Sequence, residues 1–231
     1  MVQPLIQRYG FSLLAAVTGV MVAYAQYLIF MVVPNERTMG PVQRILYFHV
    51  GSAFACYISA ALVLTGGLWY LATRERIADR LAQSAGEVGF VFCSMVLFSG
   101  MIWGHSSWNT WFRWEPRLVT FLLLWFVFLA FVLLRIFGEP NRVATQSAVL
   151  GIVGALTVPL IIFSVYFMPD VPQLHPKEVV VGGLAHPAYK ITFWLSVLAM
   201  ILLQFLLVWV RMMIAAADER SEFFDHFIEK E

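Results

Sequence analysis

Between Trp103 and Leu118 the chain reads WGHSSWNTWFRWEPRL. Four of its eight tryptophans fall there, at Trp103, Trp108, Trp111 and Trp114, with Glu115 and Arg117 just behind them. Indole offers a flat apolar face and one N–H donor, and a guanidinium pairs with carboxylates in a fixed fork. Such a set can cover a flat aromatic ligand and neutralise an anionic group at its edge. Read as a helix, Trp108, Trp111, Trp114 and Arg117 recur every third residue and share one face. An interfacial aromatic belt spreads its tryptophans over many helix ends. Half the supply in one stretch argues instead for a ligand-binding shelf.

The second chemical resource is histidine. His49 lies in RILYFHV within one turn of the outer end of an apolar run, His105 follows another run, and His175 and His186 share the last polar connection. Four of the five histidines thus gather on the side that carries the tryptophans, and His226 lies in the charged tail. Imidazole ligates haem iron, and a six-coordinate haem takes one on each face. The second and fifth apolar runs, entering a shared cleft from opposite sides, could supply that pair. His105 and His226 read as ordinary interfacial polar residues. No histidine sits at mid-span, so a cytochrome carrying electrons across a bilayer is excluded, and a haem bound near the outer surface is not.

Other chemistries are absent from the sequence. Cys56 and Cys93 lie far apart in apolar runs with no CxxC, so neither a dithiol site nor a cysteine zinc site is supported. There is no GxxxxGK[ST] loop, so an ATP-driven step must come from another chain. A net charge of +1 gives no basic field for nucleic acid.

The elements that must position these residues are membrane spans. The chain is 61% hydrophobic and only 13% charged, about half the charge of a soluble domain, with mean hydropathy +0.79. Apolar runs of about 20 residues or more, enough to cross a bilayer, occur at Tyr9–Val33, Ile45–Leu71, Ser84–Gly104, Leu118–Phe137, Ala144–Met168 and Ile191–Ala216. The expectation is an all-α integral membrane protein: a six-helix bundle forming one domain over residues 1–231, with the tryptophan-rich outer loop at about 103–118. Ala23-Tyr24-Ala25 resembles a signal-peptidase site, but the apolar run continues to Val33, so the first run reads as a permanent span. Arg8, Arg74, Arg76, Arg80, Arg135, Arg142, Arg211, Arg220 and Lys230 would share one side. Arg37, Arg44, Arg113, Arg117, Lys177 and Lys190 would share the other. That bias favours both termini in the cytoplasm.

The tryptophan stretch resembles the WGxWWxWDxRLT signature of the haem-handling membrane proteins of cytochrome c biogenesis, standing here as Trp108 to Thr120. Six spans, 231 residues and RILYFHV resemble one branch, the haem-delivery protein C of the cytochrome c maturation pathway (System I). The resemblance implies a haem b site at the periplasmic face, with His49 and His175 as axial ligands and His186 as fallback. It implies that Trp108, Trp111 and Trp114 cover the porphyrin, that Arg117 and Arg44 meet propionates, and that Trp103 and Glu115 belong to the same haem-binding set. Phe112 stands where the pattern has a tryptophan and Glu115 where it has aspartate; Asn109 and Pro116 also depart from it.

From the same resemblance the protein should hold haem at the outer face of a bacterial inner membrane and present it to a periplasmic haem chaperone. Its assembly would include ABC-type membrane and ATPase subunits and a small membrane subunit. Whether it catalyses covalent attachment to the chaperone or only supplies proximity stays open at this point. Two other classes stand beside this reading. One is a haem or small-molecule permease, which needs a polar lining at depth. The other is a structural subunit docking through its tryptophans.

Overall fold

The computed structural model describes residues 2–168 and 186–228. Helix α1 (Val2–Tyr27) ends in a wider turn, Leu28–Val32, and a tight turn at Pro41–Arg44 leads into α2 (Ile45–Thr73). There follow α3 (Arg76–Trp108), α4 (Pro116–Phe137), α5 (Val143–Ala155), α6 (Thr157–Phe167) and α7 (Pro187–Ile228). No strand occurs among the described residues. Among the described residues six segments are long and apolar enough to cross a membrane, with α5 and α6 together making the fifth, Val143–Ser164. The six expected spans are thus found.

Their ends differ for local reasons. Arg74, left-handed at φ 61°, and Glu75, extended, turn the chain in two residues. Helix α3 therefore begins eight residues ahead of the expected run. Pro159 has no N–H for the Ala155 carbonyl, and the fifth span breaks at Leu156 between α5 and α6. Helix α7 continues through the charged tail to Ile228.

The hairpin of α2 and α3 is the centre of the bundle, with α7 and α5 against α2, α4 against α3, and α1 lying chiefly on α7. Little hydrophobic drive brings helices together in lipid, so close packing of small residues must. Gly66 shows this: a Cβ there would lie 3.0 Å from the Ala82 backbone nitrogen. The N-terminal part of α3 is tied by ion pairs, Asp79 to Arg135 of α4, Glu87 to Arg211 of α7, and Arg80 to Glu219 at 3.6 Å. These secure α3 at one end and leave its other end to carry the tryptophans.

Candidate functional site

A cavity of about 330 Å³ opens where α2, α3 and α4 meet the tryptophan loop. Helix α2 contributes Leu46, His49, Val50, Ala53, Phe54 and Tyr57, a spacing that is one helical face. Helix α3 adds Gly100, Trp103, Gly104 and Trp108, the loop adds Thr110 to Arg113 with Glu115, and α4 adds Arg117, Leu118 and Phe121. The volume falls in the usual range for small-molecule sites, which are mostly apolar with a few placed polar groups.

The loop is not the helix its period of three suggested. Asn109 takes a left-handed conformation, φ 54°, and its N–H closes on the His105 carbonyl at 3.0 Å. Asparagine tolerates that region better than most residues. Pro116 then opens α4 with its preset φ and missing N–H. Between these two stops the chain doubles back on α3. Trp111 stacks on His105 with centroids 4.0 Å apart, and a Cβ at Gly104 would lie 3.1 Å from the Thr110 carbonyl.

The four tryptophans consequently do different things. Trp103 is buried, with Trp108 tilted against it at 5.7 Å. Trp108 and Trp111 line the cavity while partly exposed. Trp114, 80% exposed, meets Phe112 edge-on at 5.3 Å and does not line the cavity. The Trp103 Nε1–H is buried and has no hydrogen-bond acceptor among the described residues.

His49 is buried on the cavity face of α2. Its Nδ1 lies 3.1 Å from the Ser99 hydroxyl, and its ring is 6.0 Å from Trp103 at 60°. Glu115 is buried and paired with Arg113 at 3.1 Å. Arg117 is half-buried in the lining. Arg44 does not line the cavity; it donates to Asn35 Oδ1 at 3.2 Å and lies over the Phe30 ring. His175 lies outside the described residues. His186 caps α7, its Nδ1 accepting the Ala188 N–H at 3.2 Å.

Of the sequence-marked residues, the fold therefore gathers His49, Trp103, Trp108, Trp111, Glu115 and Arg117 around one space. Tyr57 and Arg113 are among the lining residues that the sequence did not mark. Tyr57 falls on the His49 face, two turns on at i+8, a signal that helical periodicity carries. Arg113 sits inside the tryptophan stretch, where only its pairing with Glu115 marks it out.

The family model of heme exporter protein C (CcmC) matches residues 4–223 of the chain. The heme exporter protein C of Bradyrhizobium diazoefficiens is 32% identical over 153 residues, 66% of this chain and 58% of that protein. The Paracoccus denitrificans protein of the same name is 30% identical over 135 residues, 58% of this chain and 56% of the relative. The one from Escherichia coli K12 is 28% identical over 184 residues, 78% of this chain and 72% of the relative. With the first two, the match spans less than two thirds of the relative's own length.

Proposed function

Because the chain belongs to the heme exporter protein C family, we propose that it handles haem in cytochrome c maturation, holding it in the cavity under the tryptophan loop. The observation that carries this reading is the convergence of His49, three tryptophans and Arg117 on one space. A haem needs apolar flat walls, an imidazole for its iron and donors for its two carboxylates. The lining supplies each of these, and the acceptorless Trp103 N–H is a donor that a ligand oxygen would satisfy.

In this reading His49 is one axial ligand and His175 the other. Trp103, Trp108 and Trp111 wall the ring, and exposed Trp114 covers it from the rim or meets the recipient protein. Arg117 meets a propionate. Glu115 holds Arg113 beside the site, and Arg44, being outside the lining, is left out of the carboxylate set. Bis-histidine ligation leaves no iron position for oxygen chemistry, which suits a carrier. The cargo is haem b, presented to a periplasmic haem chaperone within an ABC-type exporter complex of membrane, ATPase and small membrane subunits. The chain is one domain of a bacterial inner membrane with the tryptophan loop outside and both termini in the cytoplasm. The arginine-rich end of α3 and its ion pairs then face the cytoplasm, as the charge rule requires. A permease would need polar groups lining a path at depth. Gln204 instead donates to Ser59 at 3.3 Å in the buried contact between α7 and α2, a helix-to-helix bond.

The test is the optical spectrum of the detergent-solubilised protein, oxidised and reduced. A low-spin haem spectrum is expected, weakened or altered in His49→Ala and in His175→Ala. An unchanged spectrum in both variants overturns the ligand assignment. Colourless protein that cannot take up added haem, yet still assembles with other subunits, replaces this reading with a structural one.

A further inference from the structure

We propose that Ser99 is a positioning residue that fixes the tautomer of His49, placing its lone pair on Nε2. The inference rests on the reading of His49 as an iron ligand, but its geometry is independent of haem. The Ser99 hydroxyl lies 2.5 Å from the Met95 carbonyl and 3.3 Å from that of Val96. A carbonyl can only accept, and a hydroxyl has one proton, so that proton goes to the backbone, as serines in apolar helices commonly arrange. At 3.1 Å from His49 Nδ1, the serine oxygen is then an acceptor and Nδ1 carries the hydrogen. A neutral imidazole has one N–H, which leaves the lone pair on Nε2.

The rest of the turn holds the ring in that orientation. A Cβ at Gly100 would lie 3.0 Å from His49 Cε1, so the absence of a side chain there lets the imidazole lie close against α3. Trp103, one turn further, closes on the ring at 6.0 Å. Ser99, Gly100 and Trp103 thus form a seat for His49 on α3, about fifty residues away in sequence. His186 is the contrast. Its Nδ1 accepts the Ala188 N–H, so in the neutral ring the proton is on Nε2. That tautomer offers iron no lone pair, and His186 is better explained as a helix cap.

The choice of acceptor has a consequence for release. A carboxylate on Nδ1–H would push charge into the ring and strengthen the iron bond; a hydroxyl orients the ring while donating little charge. A site that must give up its cargo is served by the second arrangement.

The test uses the full chain with ¹⁵N-labelled histidine, first without haem. The His49 signals, identified by their loss in His49→Gln, should show a single Nδ1–H tautomer in the wild type and in Ser99→Thr, and a mixture in Ser99→Ala. With haem added, Ser99→Ala should release it roughly tenfold more readily, at the low end of outer-shell effects on metal sites, and Ser99→Thr should match the wild type. An Nε2–H tautomer in the wild type, or an unchanged tautomer in Ser99→Ala, overturns the inference. Because that readout needs no haem, it is separate from failure of the haem reading, which the His49→Ala spectrum decides.

Discussion

His105 and Trp111 lie face to face, with ring centroids 4.0 Å apart and planes 24° from parallel. The contact joins the last turn of α3 to the middle of the loop that follows it. His105 does not line the cavity, whereas Trp111 does. The histidine therefore holds the loop that walls the site. An aromatic contact of this kind is worth about 0.5–1.5 kcal/mol beyond its area. His105→Ala should let the 109–115 segment open, seen as faster limited proteolysis there, while His105→Phe keeps the stack and the wild-type rate. Equal cleavage rates in all three proteins would remove His105 from this role.

The Glu115 carboxylate is buried and its pairing with Arg113 spans 3.1 Å. Arg113 is itself 43% exposed, so solvent screens the pair and its worth falls below that of a fully buried one. Removing either side should cost about 1 kcal/mol, and the double variant Arg113→Ala/Glu115→Gln should cost less than the sum. A thermal-unfolding cycle on the solubilised protein measures the coupling. Additive losses would mean that the Arg113–Glu115 contact carries no energy of its own.

The spans were legible because crossing a bilayer demands a long apolar run, and length survives any uncertainty at the ends. His49 was legible as a polar group at the mouth of such a run. The path of the loop was not. Trp108, Trp111, Trp114 and Arg117 have a helical period, but the left-handed Asn109 and helix-opening Pro116 interrupt it. Both residues stand in the sequence as departures from the family pattern, and that pattern carries no information on how they turn the backbone. Arg44 precedes the histidine in the sequence as a candidate anion partner, but it lies outside the cavity lining, against Asn35 and Phe30. The seat of His49 was beyond reach, since nothing in the segment around it points to Ser99 and Gly100 on another helix.

Phe131 is almost fully buried between α3 and α5 because both helices present glycine to it. A Cβ at Gly86 would lie 2.3 Å from Phe131 Cε1, and one at Gly151 would lie 3.3 Å from Cε2 and 2.4 Å from Val63. Gly86→Ala must therefore displace a ring that is almost fully buried, at about 1–3 kcal/mol for overpacking. Its unfolding temperature should fall. Gly19→Ala is the control, since a Cβ there meets nothing within 4 Å and alanine is the better helix former. Equal stability of the two variants would contradict the tight packing at Phe131.

Glu36 organises the connection between α1 and α2. Its carboxylate accepts the Met39 N–H at 2.6 Å and the Thr38 N–H at 2.8 Å, while Gly40, at φ 57°, returns its own N–H to the Glu36 carbonyl at 2.9 Å. The Met39 and Thr38 amides hold the carboxyl below the usual carboxylate range, with a smaller contribution from the Arg37 charge. Hydrogen bonds to the charged form have that effect. A carboxylate whose pKa is lower in the folded turn than in the open one stabilises the turn above its ordinary pKa. That stabilisation is lost as pH falls through the lowered value. Amide exchange at Thr38 and Met39 should thus be slow at neutral pH and lose its protection only at acid pH, below the point where a free glutamate has already protonated. In Glu36→Gln the neutral amide accepts more weakly, so protection should be lower at neutral pH and show no carboxyl-linked transition. A wild-type profile with the same flat response would mean that the Gly40 turn stands without the carboxylate.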